Sequence, residues 1–335
     1  MDQESITRGI LSGIIDQYIH EIAADPNRSI RKLVDMAERT SDGPTQKICY
    51  QMMQRMAENR NSPYYKMIQH LVTHTSPETI KKFGINLGRN AWTFGSGKVR
   101  RLSANSRTAI PWVVLIDRQN VQGRIPFDEI RELIRRGRRQ EIYAWILIIS
   151  DPADEWEEIT DLIREHDDSV FGLCASADAL SNEILDEAAK LSNLMIFLDT
   201  DQPGWQGRAR ELEAAGCMFS AYRTVSSAAD AHEITSGGWL TSLVPYHPLI
   251  AYSITADNCP IEYAVEVSHY MWVTRVNQIF PVLPSDLISD FMVISRLVSH
   301  KEVLYRVETD GSVSEGNGLR FAPGCLTCAD LFKTD

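Results

Sequence analysis

Two cysteines near the carboxyl end of the sequence have the spacing of metal ligands. Cys325 and Cys328 are separated by two residues, so both thiolates can reach one ion. A structural zinc site usually needs four ligands, and Cys259 with His300 would complete the set only if the fold brought all four together. The pair is therefore a candidate zinc site, and two thiols without a metal are the alternative.

Two histidines on one predicted helix also have a metal-ligand spacing. His70 and His74 are four residues apart, which places both rings on the same helix face. Zinc proteases with two such histidines have a glutamate directly after the first one, and Leu71 occupies that position here. We therefore expect no metalloprotease and interpret the pair as structural. His232 and His247 belong to no recognisable triad, because no nucleophile elbow is present, and we assign no catalytic residue.

Polar residues follow several predicted strands, at the edge where a parallel sheet binds its ligands. The candidate ligand-binding residues at this edge are Asp117, Ser150, Asp151, Asp178, Asp199 and Asp201. Clustered carboxylates there can bind a divalent metal or transfer protons. They can equally cap the helices that follow the strands, which is the commoner use of aspartate in such positions. Both interpretations stay open at this point.

Six short apolar runs predict the strands that position these residues. The runs are Ile110–Asp117, Tyr143–Ile149, Ser169–Cys174, Asn193–Thr200, Cys217–Tyr222 and Pro248–Ala256. Their starts lie 24 to 33 residues apart, which is the length of a strand, a crossover helix and two short loops. Continuous hydrophobicity is typical of a parallel sheet that is buried on both faces. We predict six βα units in either an open doubly wound sheet or an incomplete barrel.

The regions on either side of this array have different patterns. Helical periodicity and starts such as Ser76-Pro77 predict a helical module and connector before the first strand. Near the carboxyl end, Asp310-Gly311 between alternating residues predicts a hairpin. The predicted divisions are a helical module over 1–107, a barrel region over 108–301, and a hairpin with a Cys-x-x-Cys tail over 302–335.

The composition restricts the class of protein. The chain has 335 residues with a formal charge of −11, so the attraction to phosphate that dominates nucleic-acid affinity is not available overall. No apolar stretch approaches the roughly 20 residues that span a bilayer. The acidic start lacks the pattern of a secretory signal, and six scattered cysteines form no disulfide framework. We expect a cytoplasmic globular protein that binds neither nucleic acid nor a membrane.

The run Ile110–Asp117 resembles the first barrel strand of radical S-adenosylmethionine (radical SAM) enzymes that have a helical N-terminal region and extra C-terminal cysteines. The resemblance covers most of residues 110–330 and continues through Ile125–Ile130, Tyr143–Ile149, Asp199 and Asp310–Val313. It implies an α/β fold, an incomplete (βα)6 TIM-like barrel with an all-helical N-terminal module and a short C-terminal hairpin and tail.

The segments that hold the family's cofactor differ in this chain. In the family, three cysteines after the first strand bind a four-iron cluster, and the fourth iron binds S-adenosylmethionine. The corresponding loop here, Arg118–Arg124, contains no cysteine, histidine or carboxylate. The family's Gly-Gly-Glu-Pro sequence, whose backbone meets the cofactor, is replaced by Ile149-Ser150-Asp151-Pro152. The joint loss predicts that this chain performs no radical chemistry.

We therefore expect a catalytically inactive radical-SAM-like protein, a pseudoenzyme that binds or scaffolds a protein partner. The partner would be an intact radical SAM enzyme or its peptide or small-molecule substrate. No cofactor is expected, and S-adenosylmethionine and zinc are the alternatives. If Cys325 and Cys328 bind no metal, they are interpreted as a remnant of an accessory-cluster region. The alternative function is a cluster-independent enzyme that uses the strand-end aspartates with a small ligand, a nucleotide or a divalent metal. The oligomeric state is not indicated.

Overall fold

The computed structural model describes residues 3–39, 51, 53–94, 99–100, 109–119, 123–149 and 152–333. The first part of this range is helical, as predicted. Its elements are α1 (Gln3–Ala24), α2 (Pro26–Arg39), α3 (Tyr64–His74), α4 (Pro77–Gly84) and a π-helix (Ile85–Phe94). α4 begins at the predicted capped start, because Ser76 Oγ accepts a hydrogen bond from Thr79 N at 3.1 Å and Pro77 follows it.

The helical module packs against the rest of the chain through buried polar contacts. Tyr64 on α3 donates its hydroxyl to Arg275 O at 3.1 Å. Asn86 in the π-helix is fully buried and donates Nδ2 to Ser169 O at 3.0 Å. The predicted boundary at residue 107 lies outside the described residues.

A single ten-stranded sheet forms the remainder of the fold. Its strands are β1 (Val113–Asp117), β2 (Ala144–Ile148), β3 (Val170–Ala175), β4 (Leu194–Asp199), β5 (Phe219–Val225), β6 (Ile250–Thr255), β7 (Leu283–Asp286), β8 (Tyr305–Val307), β9 (Ser312–Asn317) and β10 (Arg320–Thr327). Their spatial order is β10-β9-β8-β1-β2-β3-β4-β5-β6-β7. β1 to β8 are parallel, whereas β9 and β10 are antiparallel. The protein is thus a mixed α/β fold whose sheet curls into half of a barrel.

The parallel part of the sheet is longer than predicted. β1 to β6 overlap the six predicted runs, although β3 and β5 extend past them to Ala175 and Val225, and the Asp310-Gly311 turn joins β8 to β9. β7 was not predicted, because its four residues include Pro284 and are not an apolar run. β8 was predicted only as a hairpin strand, yet it also pairs with β1, where Tyr305 lies opposite Val114. Such long-range pairing leaves no local sequence pattern.

Helices cover both faces of the sheet. They are α5 (Phe127–Arg139), α6 (Trp156–Glu165), α7 (Asn182–Ala188), α8 (Trp205–Ala214), α9 (Ala228–Thr235), α10 (Gly238–Leu243), α11 (Ile261–Asn277) and α12 (Leu287–Ser299). β1 to β7 follow one another in chain order across the sheet. Right-handed crossovers between such strands place the connecting helices on the same face of the sheet, here the outer face. The outer core is apolar, with Ile130, Leu133 and Ile134 of α5 fully buried.

Aromatic and sulfur-containing side chains fill the inner face beneath α12. Trp112 donates its indole N–H to Phe291 O at 2.9 Å, and the two rings pack edge to face at 5.1 Å. Phe197 stacks on Tyr252 with ring centroids 5.0 Å apart. The inner face beneath α12 is therefore occupied by the chain's own side chains.

Candidate functional site

Two of the predicted ligand-binding aspartates lie on the inner face of the sheet, on strands that are separated by β2 and β3. Asp117 ends β1 and Asp199 ends β4. Burial raises the pKa of the nearby Cys174 thiol, and the charges of Asp199 and Asp117 raise it further. Both carboxylates therefore lie within electrostatic range of one buried thiol.

The environment of these carboxylates favours protonation. Burial raises the pKa of Asp199, although Asp201 N donates to its carboxylate at 2.8 Å and Tyr222 also donates a hydrogen bond to it. Burial likewise raises the pKa of Asp117, against a hydrogen bond from Gln119 N at 2.8 Å. The pKa of Tyr222 is raised above its usual value, mainly by burial. A phenol that keeps its proton beside a carboxylate can donate a hydrogen bond to it or to a ligand.

The other predicted residues at this edge have environments that differ from those of Asp117 and Asp199. Asp201 forms an ion pair with Arg223, with 3.1 Å between Oδ1 and Nε, and accepts Thr224 N at 2.8 Å. Asp178 is exposed, and a hydrogen bond from Ser176 lowers its pKa. Ser150 and Asp151 lie outside the described residues.

The predicted capping role is wrong for the four described aspartates. The helices that follow β1, β3 and β4 have Pro126, Ser181 and Gly204 at their N-caps. Asp117, Asp199 and Asp201 instead accept backbone N–H groups of loops or of the next strand. The strand-end aspartate that does cap a helix is Asp286, which the sequence analysis missed. It ends β7 and accepts Ser289 N of α12 at 2.9 Å.

Arg118 fills the space directly after β1. Its Nη2 lies 2.6 Å from Glu155 Oε1, and Arg124 Nη1 lies 2.8 Å from the same oxygen. The side chain of Arg118 is only 5% exposed, and its guanidinium lies 4.3 Å from the centre of the Phe127 ring. Burial alone would raise the pKa of Glu155, but the hydrogen bonds and charges of the two arginines lower it overall. A buried ion pair therefore occupies the described part of this loop.

The two cysteines of the tail have different environments. Cys325 is exposed, whereas Cys328 is buried and its pKa is raised to about 11 by that burial. Arg136 on α5 donates Nη2 to Cys328 O at 3.0 Å, which holds the tail against the outer layer. Among the described residues, neither thiol belongs to a group of three metal-capable side chains. Zinc binding at this pair stays a prediction.

A histidine and glutamate cluster lies at the opposite edge of the sheet, where the strands begin. His247 Nδ1 is 3.3 Å from Glu213 Oε1, and His70 Nε2 hydrogen-bonds to the same oxygen. The His70 ring stacks on both His74 and His247, with each pair of centroids 3.8 Å apart. The spacing of His70 and His74 is visible in the sequence, but the cluster is not, because Glu213 is 143 residues away from His70.

An apolar surface lies along α11 and is here called the α11 face. It consists of Ile261, Val265, Trp272, Val276 and Ile279, whose side chains are 47% to 56% exposed. Steps of four, seven and four residues place the first four on one side of the helix, and Ile279 follows two residues after the last helical residue. This face could not be identified from the sequence, because helical spacing alone does not distinguish a buried stripe from an exposed one.

The described helices include none that is both long enough and apolar enough to cross a membrane. Comparison with known proteins finds no family model that matches this chain and no matching curated protein.

Proposed function

We propose that this protein binds a protein partner through the α11 face. The observation that carries the proposal is the exposure of four large apolar side chains along one side of α11 and of a fifth, Ile279, just past its end. Scattered exposed apolar residues are normal on proteins, whereas a contiguous row of them marks an interaction surface.

The other side of α11 makes this exposure unusual. Ala264, Val267 and Met271 are fully buried against the body of the protein. A helix that is apolar on both sides is typically buried on both sides. Trp272, at 54% exposure, belongs to the residue types that carry most of the binding energy at protein interfaces. A partner that covers the α11 face would bury these side chains, as the body of the protein already buries Ala264, Val267 and Met271.

Charge indicates the chemistry of the partner. Glu262 and Glu266 are exposed at the amino-terminal end of the same helix, and the whole chain has a formal charge of −11. A second copy of this acidic chain would meet like charge, whereas an apolar surface rimmed by lysine and arginine would meet opposite charge. We therefore propose a different protein with a basic rim as the occupant.

Affinity capture with the full-length chain tests this function in cells that normally make it. Wild type is compared with Trp272→Ser and with Val293→Ser, a matched control because Val293 is 50% exposed on α12 and outside the α11 face. We expect a partner that wild type and the control retain and that Trp272→Ser loses by about tenfold or more. Equal capture by all three baits, or no partner, would contradict the proposal. If sedimentation instead shows a doubled mass that Trp272→Ser abolishes, the occupant of the α11 face is a second copy of this chain and not a different protein.

We also propose that the chain is a radical-SAM-like pseudoenzyme. The relationship is supported by the curled sheet with β1 to β6 in chain order. The loss of radical chemistry is supported by Arg118 and Glu155, which occupy the position after β1 where the family would need thiolates. Anaerobic reconstitution followed by iron and sulfide analysis should leave the protein colourless. An intact four-iron cluster that cleaves S-adenosylmethionine would overturn this proposal.

A second candidate function is a cluster-independent activity at Asp117 and Asp199. The raised pKa values of both acids and the hydrogen bond from Tyr222 to Asp199 favour it, because perturbed acids are common at reactive sites. A ligand that binds only the native state raises the melting temperature. Melting curves with S-adenosylmethionine, nucleotides and divalent ions should show a shift that Asp199→Asn removes. The absence of any shift would leave partner binding as the function.

A further inference from the structure

We propose that His70, Glu213 and His247 bind a divalent transition metal ion, for which zinc is the best match. Each residue offers one ligand atom, and these atoms lie within 4.8 Å of one another. Two ligands of a tetrahedral zinc, each at about 2.1 Å, are about 3.4 Å apart. The distance of 3.3 Å between His247 Nδ1 and Glu213 Oε1 matches this requirement. An ion between His70 and Glu213 would replace the proton that they share.

The donor set determines which metal fits. Two imidazole nitrogens and one carboxylate oxygen suit zinc and neighbouring transition metals, whereas magnesium and calcium prefer oxygen ligands throughout. The cluster borders a cavity of about 20 Å³, which has room for one water molecule. Its other walls include Met67, Leu71, Phe219 and Leu249, which are apolar. Three protein ligands and one water are the arrangement of an open zinc site rather than a closed structural one.

The neighbours of the cluster support the ring positions that an ion needs. His74 Nδ1 lies 3.0 Å from His70 O, and a carbonyl oxygen only accepts, so this nitrogen donates. The hydrogen bond fixes the His74 ring, which stacks on the His70 ring. The stacked His74 ring limits how far the His70 ring can turn.

The backbone at His247 has a conformation that also ends α11 at Gln278 and α12 at His300. Its φ of 53° lies in the left-handed region, which residues with a side chain rarely adopt. A left-handed residue is common at the end of a helix. Here the conformation ends the short turn Val244–Tyr246 and allows the His247 ring to reach both His70 and Glu213.

The three ligands come from separate parts of the chain. His70 belongs to α3 of the helical module, Glu213 is near the end of α8, and His247 precedes β6. An ion would therefore tie the module to the edge of the sheet where the strands begin. Because the unfolded chain does not hold these ligands together, binding should also stabilise the fold.

Metal titration of the full-length chain, freed of any tag and of metal by chelation, tests the site. Zinc binding is followed by calorimetry and by the melting temperature, and cobalt serves as the coloured probe. We expect one ion per chain, a visible cobalt spectrum with nitrogen and oxygen ligands, and a rise in melting temperature with zinc.

Variants decide where the ion binds. Glu213→Gln and His247→Asn should weaken zinc binding by about 100-fold and remove the melting shift. Asparagine tolerates the left-handed conformation, and the His247 side chain is 43% exposed, so His247→Asn should fold and decides the outcome if Glu213→Gln does not. His232→Asn, at an exposed histidine on α9, and Cys325→Ser, in the competing thiol pair, should bind zinc as wild type does.

Three results would overturn the proposal. The first is a wild-type chain that binds no zinc at micromolar concentrations. The second is unchanged affinity in His247→Asn. The third is loss of the bound ion in Cys325→Ser, which would assign the metal to the tail instead.

Discussion

Arg118 holds Glu155 through two roughly parallel hydrogen bonds, from Nη2 to Oε1 at 2.6 Å and from Nε to Oε2 at 3.3 Å. This forked geometry is the strongest form of an arginine–carboxylate contact. The pair lies directly after the end of β1 and is largely removed from solvent. Each of the two charges therefore depends on the other as its partner. A buried pair of this kind is costly to break from one side.

Removing the acid of this pair should destabilise the protein strongly. Glu155→Ala leaves the guanidinium of Arg118 buried with its charge partner gone, and we expect a loss of about 3–5 kcal/mol in the free energy of unfolding. Glu157→Ala, at an exposed position on the following helix, should change it by less than about 0.5 kcal/mol. Urea denaturation measures both, and equal midpoints would show that the pair contributes nothing.

Two glycines in helices should respond in opposite directions to alanine. A Cβ at Gly137 on α5 would lie 2.8 Å from Trp145 Cζ2, so Gly137→Ala should cost about 1–3 kcal/mol through overpacking. Gly207 on α8 has open space at the same position, and Gly207→Ala should stabilise the protein by up to about 1 kcal/mol through helix propensity. Thermal melts of the two variants check the prediction. A stabilised Gly137→Ala would mean that the helix and the Trp145 ring can move apart.

Asp286 should make the protein less stable as pH rises. Burial raises its pKa to about 7 in the folded state, against hydrogen bonds from Ser289 N and from Ser253. Below about pH 4 both the folded and the unfolded state hold the proton, and above about pH 7 both have lost it. In between only the folded state keeps the proton, so the free energy of unfolding falls as pH increases, by at most about 1.4 kcal/mol per pH unit.

Asp286→Asn removes this titration while the asparagine can still cap α12. The stability of the variant relative to wild type should therefore grow between pH 4 and pH 7 and stay constant above that range. Asp128→Asn, at a side chain that is 94% exposed, is the control and should follow the wild-type curve. Parallel curves for Asp286→Asn and wild type would contradict the raised pKa. Urea denaturation at a series of pH values supplies the measurement.

The two tail cysteines should differ in reactivity toward a thiol reagent. Cys325 is exposed, whereas the pKa of Cys328 is raised to about 11 by burial, so little thiolate forms there at neutral pH. In the native protein, Cys325→Ser should remove one rapidly reacting thiol and Cys328→Ser should remove none. Equal reaction of both thiols would indicate that the tail leaves its place on α5.

Several elements of the fold could be predicted because their signals are local. The runs of β1 to β6 are largely apolar, which follows from burial on both faces of a parallel sheet. β7 was missed because Pro284 and Asp286 interrupt its pattern, although Asp286 is among the most buried acids. The pairing of β8 with β1 was missed because it joins residues far apart in the chain.

The sequence by itself determined the helical start of the chain, the parallel strands and the absence of thiols after β1, since residue type and short-range periodicity carry all three. Only the tertiary structure decided that Glu213 and His247 meet His70, that Arg118 and Glu155 occupy the end of β1, and that one side of α11 stays exposed. The physical reason is that contacts between distant segments depend on how the sheet curls and on which helix faces it buries. Neither property is encoded in the spacing of neighbouring residues.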